Sequence, residues 1–248
     1  MRFGIIGCGD IAASSFAPSL VHSDATELAT VCRRDLDQAR AFAERFGGCS
    51  AYGAATDLLA DDAVEAVIVA TPTDTHCEYT IAAAAAGKHV LCEKPMARDR
   101  HECRHMIEAC RAAGVALAVA YRRRFFPQVV AAKALIAEGA IGRVLNIQAV
   151  EHVSYHHMAV GFIRGKWSRI DYCQSPMLMA KSCHDLDLIA WMKSGVAPTR
   201  VASFGSNFQF RRENAPDGAG SRCLVDCPIE SECSYSALKH YIDHPERW

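Results

Sequence analysis

The stretch "GIIGCGDIAASSF" (residues 4–16) decides how the rest of the chain is read. It opens apolar, continues in residues of helical character, and puts Gly7-x-Gly9-x-x-Ala12 at the junction. Glycines at this spacing carry information only where a strand hands over to a helix. Gly7 then permits the tight turn, Gly9 lets a pyrophosphate approach the backbone, and Ala12 keeps helix and strand close. The amides of Asp10, Ile11 and Ala12 at the helix start would hold the phosphates. A glycine turn with no ligand is the alternative.

The remainder of the first half sustains the dinucleotide reading. Strand-like runs "RFGIIG" (2–7), "ELATVC" (27–32), "AVEAVIVAT" (63–71), "KHVLCE" (88–93) and "GVALAVAY" (114–121) alternate with helical segments such as 35–47 and 99–114. This rhythm predicts βαβ units and a parallel sheet covered on both faces. Gly47, Gly87 and Gly114 are placed to close three helices.

After Tyr121 the pattern changes. A helix is expected over 126–142, ending at Gly139, and another in "SPMLMAKSCHDLDLIAWMKSG" (175–195). "RVLNIQAVEHVSY" (143–155) and "TRVASFGSNFQF" (199–210) alternate in polarity like strands with one exposed face. The expectation is α/β: a Rossmann NAD(P)-binding domain at 1–121, then an α/β substrate and oligomerisation domain at 122–248 with an open, mainly antiparallel sheet.

The second strand ends "VCRRD", so Arg33 and Arg34 stand where an NAD-binding sheet usually carries an acid for the ribose hydroxyls. A guanidinium pairs with a 2′-phosphate, which favours NADP over NAD. With both arginines solvated, Asp35 would reach the ribose instead.

Composition narrows the partners. The chain has 248 residues, 50% hydrophobic and 22% charged, enough apolar material for one large domain or two modest ones. A net charge of −1 offers no field for nucleic acid or an anionic membrane. No apolar stretch is long enough to span a bilayer. "MRFGIIGCGD" enters a strand at once, leaving no room for a signal peptide, so a reducing, cytoplasmic location is expected.

Nine of the twelve cysteines are scattered through apolar or helical patterns, as small buried hydrophobes are. Cys223, Cys227 and Cys233 are clustered and would supply most of a structural zinc site, with Cys173, Cys183 or His240 as fourth ligand. Disulfides and buried thiols are the alternatives. His152, His156 and His157 beside Glu151 resemble a metal set in composition only, and no ligand is assigned there.

One junction is unusual. In "HVLCEKPMA" (89–97) an apolar strand ends in a glutamate, a lysine and a proline. A solvated turn would explain this, but ligands in an open parallel sheet bind beyond the carboxyl ends of the strands. Pro95 fixes the turn that aims Lys94. Partial burial would lower the lysine's pKa and Glu93 would raise it.

Together, "GIIGCGDIA", "VIVATPTDTH", "HVLCEKPMA", "AYRRRFFP", "EGAIGRVLNIQA" and "HDLDLIAWM" resemble the Gfo/Idh/MocA oxidoreductases, from residue 1 to about 210. The resemblance implies hydride transfer between a nicotinamide and a hydroxyl-bearing carbon of a sugar or cyclic polyol. The family's lysine falls on Lys94 and its histidine on His184, the two candidates for exchanging the hydroxyl proton. Thr71, Pro72, Thr73 and His76 match the loop bordering the cofactor, which Glu93 and Arg122 also adjoin. His184, Asp187 and Trp191 share one helix face, so Asp187 is placed to orient the imidazole. Arg124, Lys181 and the 152–157 loop are candidate substrate contacts.

The chain departs from the family in three ways. Ala180 stands where many members carry a relay aspartate, with Lys181 and Asp185 flanking the site. Arg122 replaces a common asparagine. Members usually continue well beyond this length, so a natural short form or a truncated product is expected, with an incomplete sheet and weak activity. A sheet edge so exposed would be covered by homo-oligomerisation. A dinucleotide-binding regulator or sensor without catalysis is the second functional reading.

Overall fold

The computed structural model describes residues 1–165 and 167–243. Six strands form one sheet: β1 (Arg2–Ile6), β2 (Glu27–Cys32), β3 (Ser50–Tyr52), β4 (Ala66–Val69), β5 (His89–Cys92) and β6 (Leu117–Val119). They lie in the order β3-β2-β1-β4-β5-β6, and every pair is parallel. The order reverses between β1 and β4. That makes the carboxyl ends of these two strands the switch point at which an open α/β sheet takes its ligand.

Alternation along the strands builds two cores. Ile6, Val67, Val69, Val90 and Cys92 pack on one side with Leu58, Met106 and Cys110. Ile5, Val31, Ile68 and Ala120 pack on the other with Phe16, Leu20 and Phe42. A π-helical turn (Ala12–Phe16) running into α1 (Ala17–Val21), with α2 (Leu36–Arg45), covers the second side. The first is covered by α3 (Ala55–Ala60), α4 (His76–Ala85) and α5 (Arg100–Ala112). Gly87 and Gly114 follow their helices at φ +71° and +69°, the left-handed cap conformation glycine adopts without penalty. The thiols inside these cores are inert hydrophobes. Burial pushes Cys8 and Cys92 up to about 12 and Cys32 to about 11.

Beyond β6 come a 3-10 turn (Arg122–Phe125), α6 (Pro127–Ala137), α7 (Tyr155–His157), a π-helical turn (Met158–Ile163), α8 (Ile170–Cys173) and α9 (Met177–Met192). Here the expected open, mainly antiparallel sheet is corrected. Residues 143–155 and 199–210 form no strand, and among the described residues the only sheet is the parallel one. A strand exists only as part of a ladder, and no described segment pairs with either run. Many of their apolar residues therefore stay in solvent: Leu145 is 81% exposed and Phe204 97%. The sheet through which homo-oligomerisation was expected has no counterpart among the described residues. No helix among them is long and apolar enough to cross a membrane.

Candidate active site

The glycine loop is built as its spacing requires. Gly7 adopts φ +103°, and a Cβ there would stand 2.6 Å from the Ala70 carbonyl oxygen, so no other residue fits. Its amide donates to Cys32 O at 2.9 Å, tying the turn to β2. No atom lies within 4 Å of the position a Cβ would take on Gly9. This open backbone, followed at once by the first helical amides (Asp10, Ile11 and Ala12), fits a dinucleotide pyrophosphate.

At the end of β2, Arg33 donates to Cys8 O at 2.9 Å, and Arg34 is exposed beside it. Asp35 is the N-cap of α2. Its carboxylate accepts from the Gln38 amide at 3.1 Å and the Gln38 side chain at 2.6 Å, which holds its pKa below the usual range. The acid is thus engaged in capping α2.

Thr71, Pro72 and Thr73 follow β4. The Thr75 hydroxyl lies 2.8 Å from both Thr71 Oγ1 and Pro72 O, folding the loop on itself. His76, in the loop expected to border the cofactor, is buried as a strut. Its Nε2 lies 2.9 Å from Thr71 O and its Nδ1 3.0 Å from Pro95 O. The ring thereby locks the loop after β4 to the turn after β5. In that turn the Lys94–Pro95 peptide is cis. Glu93 is buried and accepts from the Lys94 amide at 2.7 Å; burial raises its pKa against the opposing pull of Lys94.

Lys94 reaches out of the sheet to the second half of the chain. Its Nζ donates to Ala180 O at 3.2 Å, one turn of α9 before His184. The His184 ring packs edge-on against Tyr121, centroids 5.9 Å apart, with its Nδ1 buried and without a partner among the described residues. Burial, then Lys94, Arg123 and Arg122, lower its pKa to about 4. The two expected acid/base groups are therefore brought together, and at neutral pH the imidazole is uncharged.

Other expected contacts are not made. Asp187 does not orient His184; it forms a two-pronged pair with Arg124, Nε to Oδ2 at 2.7 Å and Nη2 to Oδ1. The helix face was read correctly, but that face packs on the 122–125 turn, where a guanidinium fork matches a carboxylate better than an imidazole does. Arg124, expected to touch substrate, is consumed by the same pair and covers Trp191 at 5.6 Å. Arg122 donates to Ser15 Oγ at 2.8 Å, reaching the helix that follows the glycine loop.

Lys181 donates to His157 Nε2 at 2.7 Å. Two interactions escape sequence reading altogether. Arg123 bridges Glu151 at 2.8 Å and Asp185 at 3.2 Å, and Phe162 lies under Lys181 at 5.6 Å. The run "RRRF" was the available signal, since consecutive arginines on a tight turn must point in different directions. Cys223, Cys227 and Cys233 do not assemble a metal site: among the described residues no group of three or more His, Cys, Asp or Glu stands close enough to hold an ion. Cys223 instead lies 3.6 Å from Arg164 Nη2, and Cys233 Sγ accepts from the Tyr235 amide at 3.4 Å.

A doubly wound parallel sheet, a glycine loop at its switch point and a lysine at the tip of a neighbouring strand define an α/β protein of the dinucleotide-binding class, whose ligands sit at the sheet's carboxyl edge. Residues 1–121 match the model of the GFO_IDH_MocA oxidoreductase family, described as an NAD-binding Rossmann fold. Inositol 2-dehydrogenase 2 of Saccharopolyspora erythraea is 30% identical over 226 residues, covering 91% of this chain and 62% of the relative. The WlbA dehydrogenase of Bordetella pertussis, solved with NADH and UDP-GlcNAcA, is 31% identical at TM-score 0.63, covering 77% of this chain and 57% of that one. A 3-ketoreductase from Actinomadura kijaniata, solved with NADP and TDP-benzene, is 36% identical at TM-score 0.54, covering 58% of this chain and 44% of that one. The chain spans about half the length of the curated relatives it matches.

Proposed function

We propose that the chain is an NAD(P)-dependent oxidoreductase acting on a hydroxyl-bearing carbon of a sugar or cyclic polyol, with residues 122–248 contributing the substrate side of the crevice. When bound, the nicotinamide supplies the hydride acceptor or donor. The rest falls to the protein's own side chains. A carbinol gives up its hydride only if its hydroxyl proton also leaves, and Lys94 and His184 are the groups proposed to take it. The neutral imidazole accepts through a ring nitrogen, and Lys94 relays or returns the proton. The observation that carries this reading is the convergence of an amine from the tip of β5 and an uncharged imidazole from α9 within a single turn of helix.

NADP is the cofactor we favour, because Asp35 is engaged in capping while Arg33 and Arg34 border the ribose region. The sensor reading draws support from one observation, that His184 lacks the carboxylate partner expected of it. A titration with NADP and NAD, followed by sugars and inositols read by cofactor absorbance, separates the two. Lys94→Ala should cut turnover by about 10²-fold or more while cofactor affinity stays nearly constant. Unchanged turnover would remove Lys94 from the chemistry, and cofactor binding with no reduction across the panel would favour the sensor.

A further inference from the structure

Resting on the oxidoreductase reading, we propose that the substrate is an acidic polyol, an aldonate or uronate, whose carboxylate is received by Lys181 as it is held against His157. Lys181 sits on α9 three residues before His184, so the two side chains share a face, separated by about 4.5 Å along the helix axis. Its position is fixed from two sides. Nζ donates to His157 Nε2 at 2.7 Å and lies 5.6 Å from the centre of the Phe162 ring. His157 itself stacks on Phe162, centroids 6.1 Å apart and planes 22° from parallel. A lysine so braced has given up the freedom of a solvated surface charge, and an ammonium with one donor on His157 has two more to offer.

Each described acid nearby already has a partner on at least one oxygen, Glu93 Oε1 and Asp185 Oδ2 being left without one. Glu151 and Asp185 both pair with Arg123, Asp187 pairs with Arg124, and Glu93 accepts from the Lys94 amide. Among the described residues Lys94, Lys181, Arg122 and Arg123 are grouped with Glu93, Glu151 and Asp185, an excess of one positive charge around the half-buried Lys181 and His184. Burying an excess cation is costly, and burial followed by repulsion from Lys94 holds the Lys181 pKa below its ordinary value, with Glu151 opposing the shift only in part. A single carboxylate restores the balance, whereas a phosphate ester with two charges would invert it. From Lys181 such a group places a hydroxyl a few carbons away beside His184 and Lys94.

The test uses the full chain loaded with NADP. D-Glucuronate, D-gluconate, D-glucose, sorbitol and D-glucose 6-phosphate are titrated by calorimetry, and cofactor reduction is followed in parallel. The acids should bind at least about tenfold more tightly than their neutral counterparts, the margin of one charge-assisted hydrogen bond. Lys181→Met should erase that margin and Lys181→Arg should retain it, with NADP affinity unchanged in both. Equal binding of acids and neutral polyols, preference for the phosphate ester, or a margin that survives Lys181→Met would overturn the proposal. Lys181-dependent binding of the acids without cofactor reduction would uphold this site and reject the oxidoreductase reading. Turnover of neutral polyols with no acid preference would do the reverse.

Discussion

His184 owes its chemistry to what surrounds it. Partial burial and the nearby Lys94, Arg123 and Arg122 charges all disfavour the imidazolium, so its pKa falls from 6.5 to about 4. The unfolded chain takes up a proton near pH 6.5 that the folded chain resists. Stability from this group is thus complete above that pH and declines as pH falls towards 4. Glu93 and Asp185, raised by burial, act in the opposite sense as pH rises through the carboxylate range. The contribution of His184 is therefore isolated by comparing the wild type with His184→Gln. Urea midpoints measured between pH 7 and pH 5 should fall less steeply in the variant. Parallel slopes would mean that the histidine is protonated as readily folded as unfolded.

Lys94 and His184 were legible from sequence because each sits in a motif at a strand end or on a helix face. The partner of Asp187 was not. Spacing on a helix says which side chains share a face, but not which residue of a distant turn that face will meet.

At the scale of the element, α9 is held to the first half of the second region by a few strong contacts. Besides Arg124–Asp187, Lys133 donates to Trp191 O at 2.7 Å and Lys193 to Val144 O at 2.8 Å. Asp187→Ala would leave the Arg124 guanidinium half-buried opposite nothing. The expected loss is about 1–3 kcal/mol, below the range for a fully buried pair because Arg124 keeps some solvent. Urea unfolding measures it, and a loss near zero would show that water replaces the pair. Strands with flanking helices were readable from their alternating rhythm, and β1, β2, β4, β5 and β6 fall within the expected runs. β3 was missed because three residues, one of them serine, give no period to count. The runs at 143–155 and 199–210 failed for a different reason: alternation describes a face, while a strand also needs a neighbour to bond with.

Across the whole molecule, order follows the two cores. Backbone amides of β1, β4 and β5 lie in ladders under buried side chains, while 144–154 and 196–207 carry no ladder at all. Hydrogen exchange should protect the central strands to near the global unfolding free energy and leave the two runs exchanging with little protection. Strong protection at 199–207 would indicate a partner strand supplied by another chain, and would restore the expectation of homo-oligomerisation on new ground.

The bond from Lys94 to the Ala180 carbonyl acts as an interlock. Any hinging that parts α9 from the sheet must first break it, releasing the amine from its aim and carrying the imidazole away in the same movement. Parting the two would therefore disarm the proton exchange proposed for them.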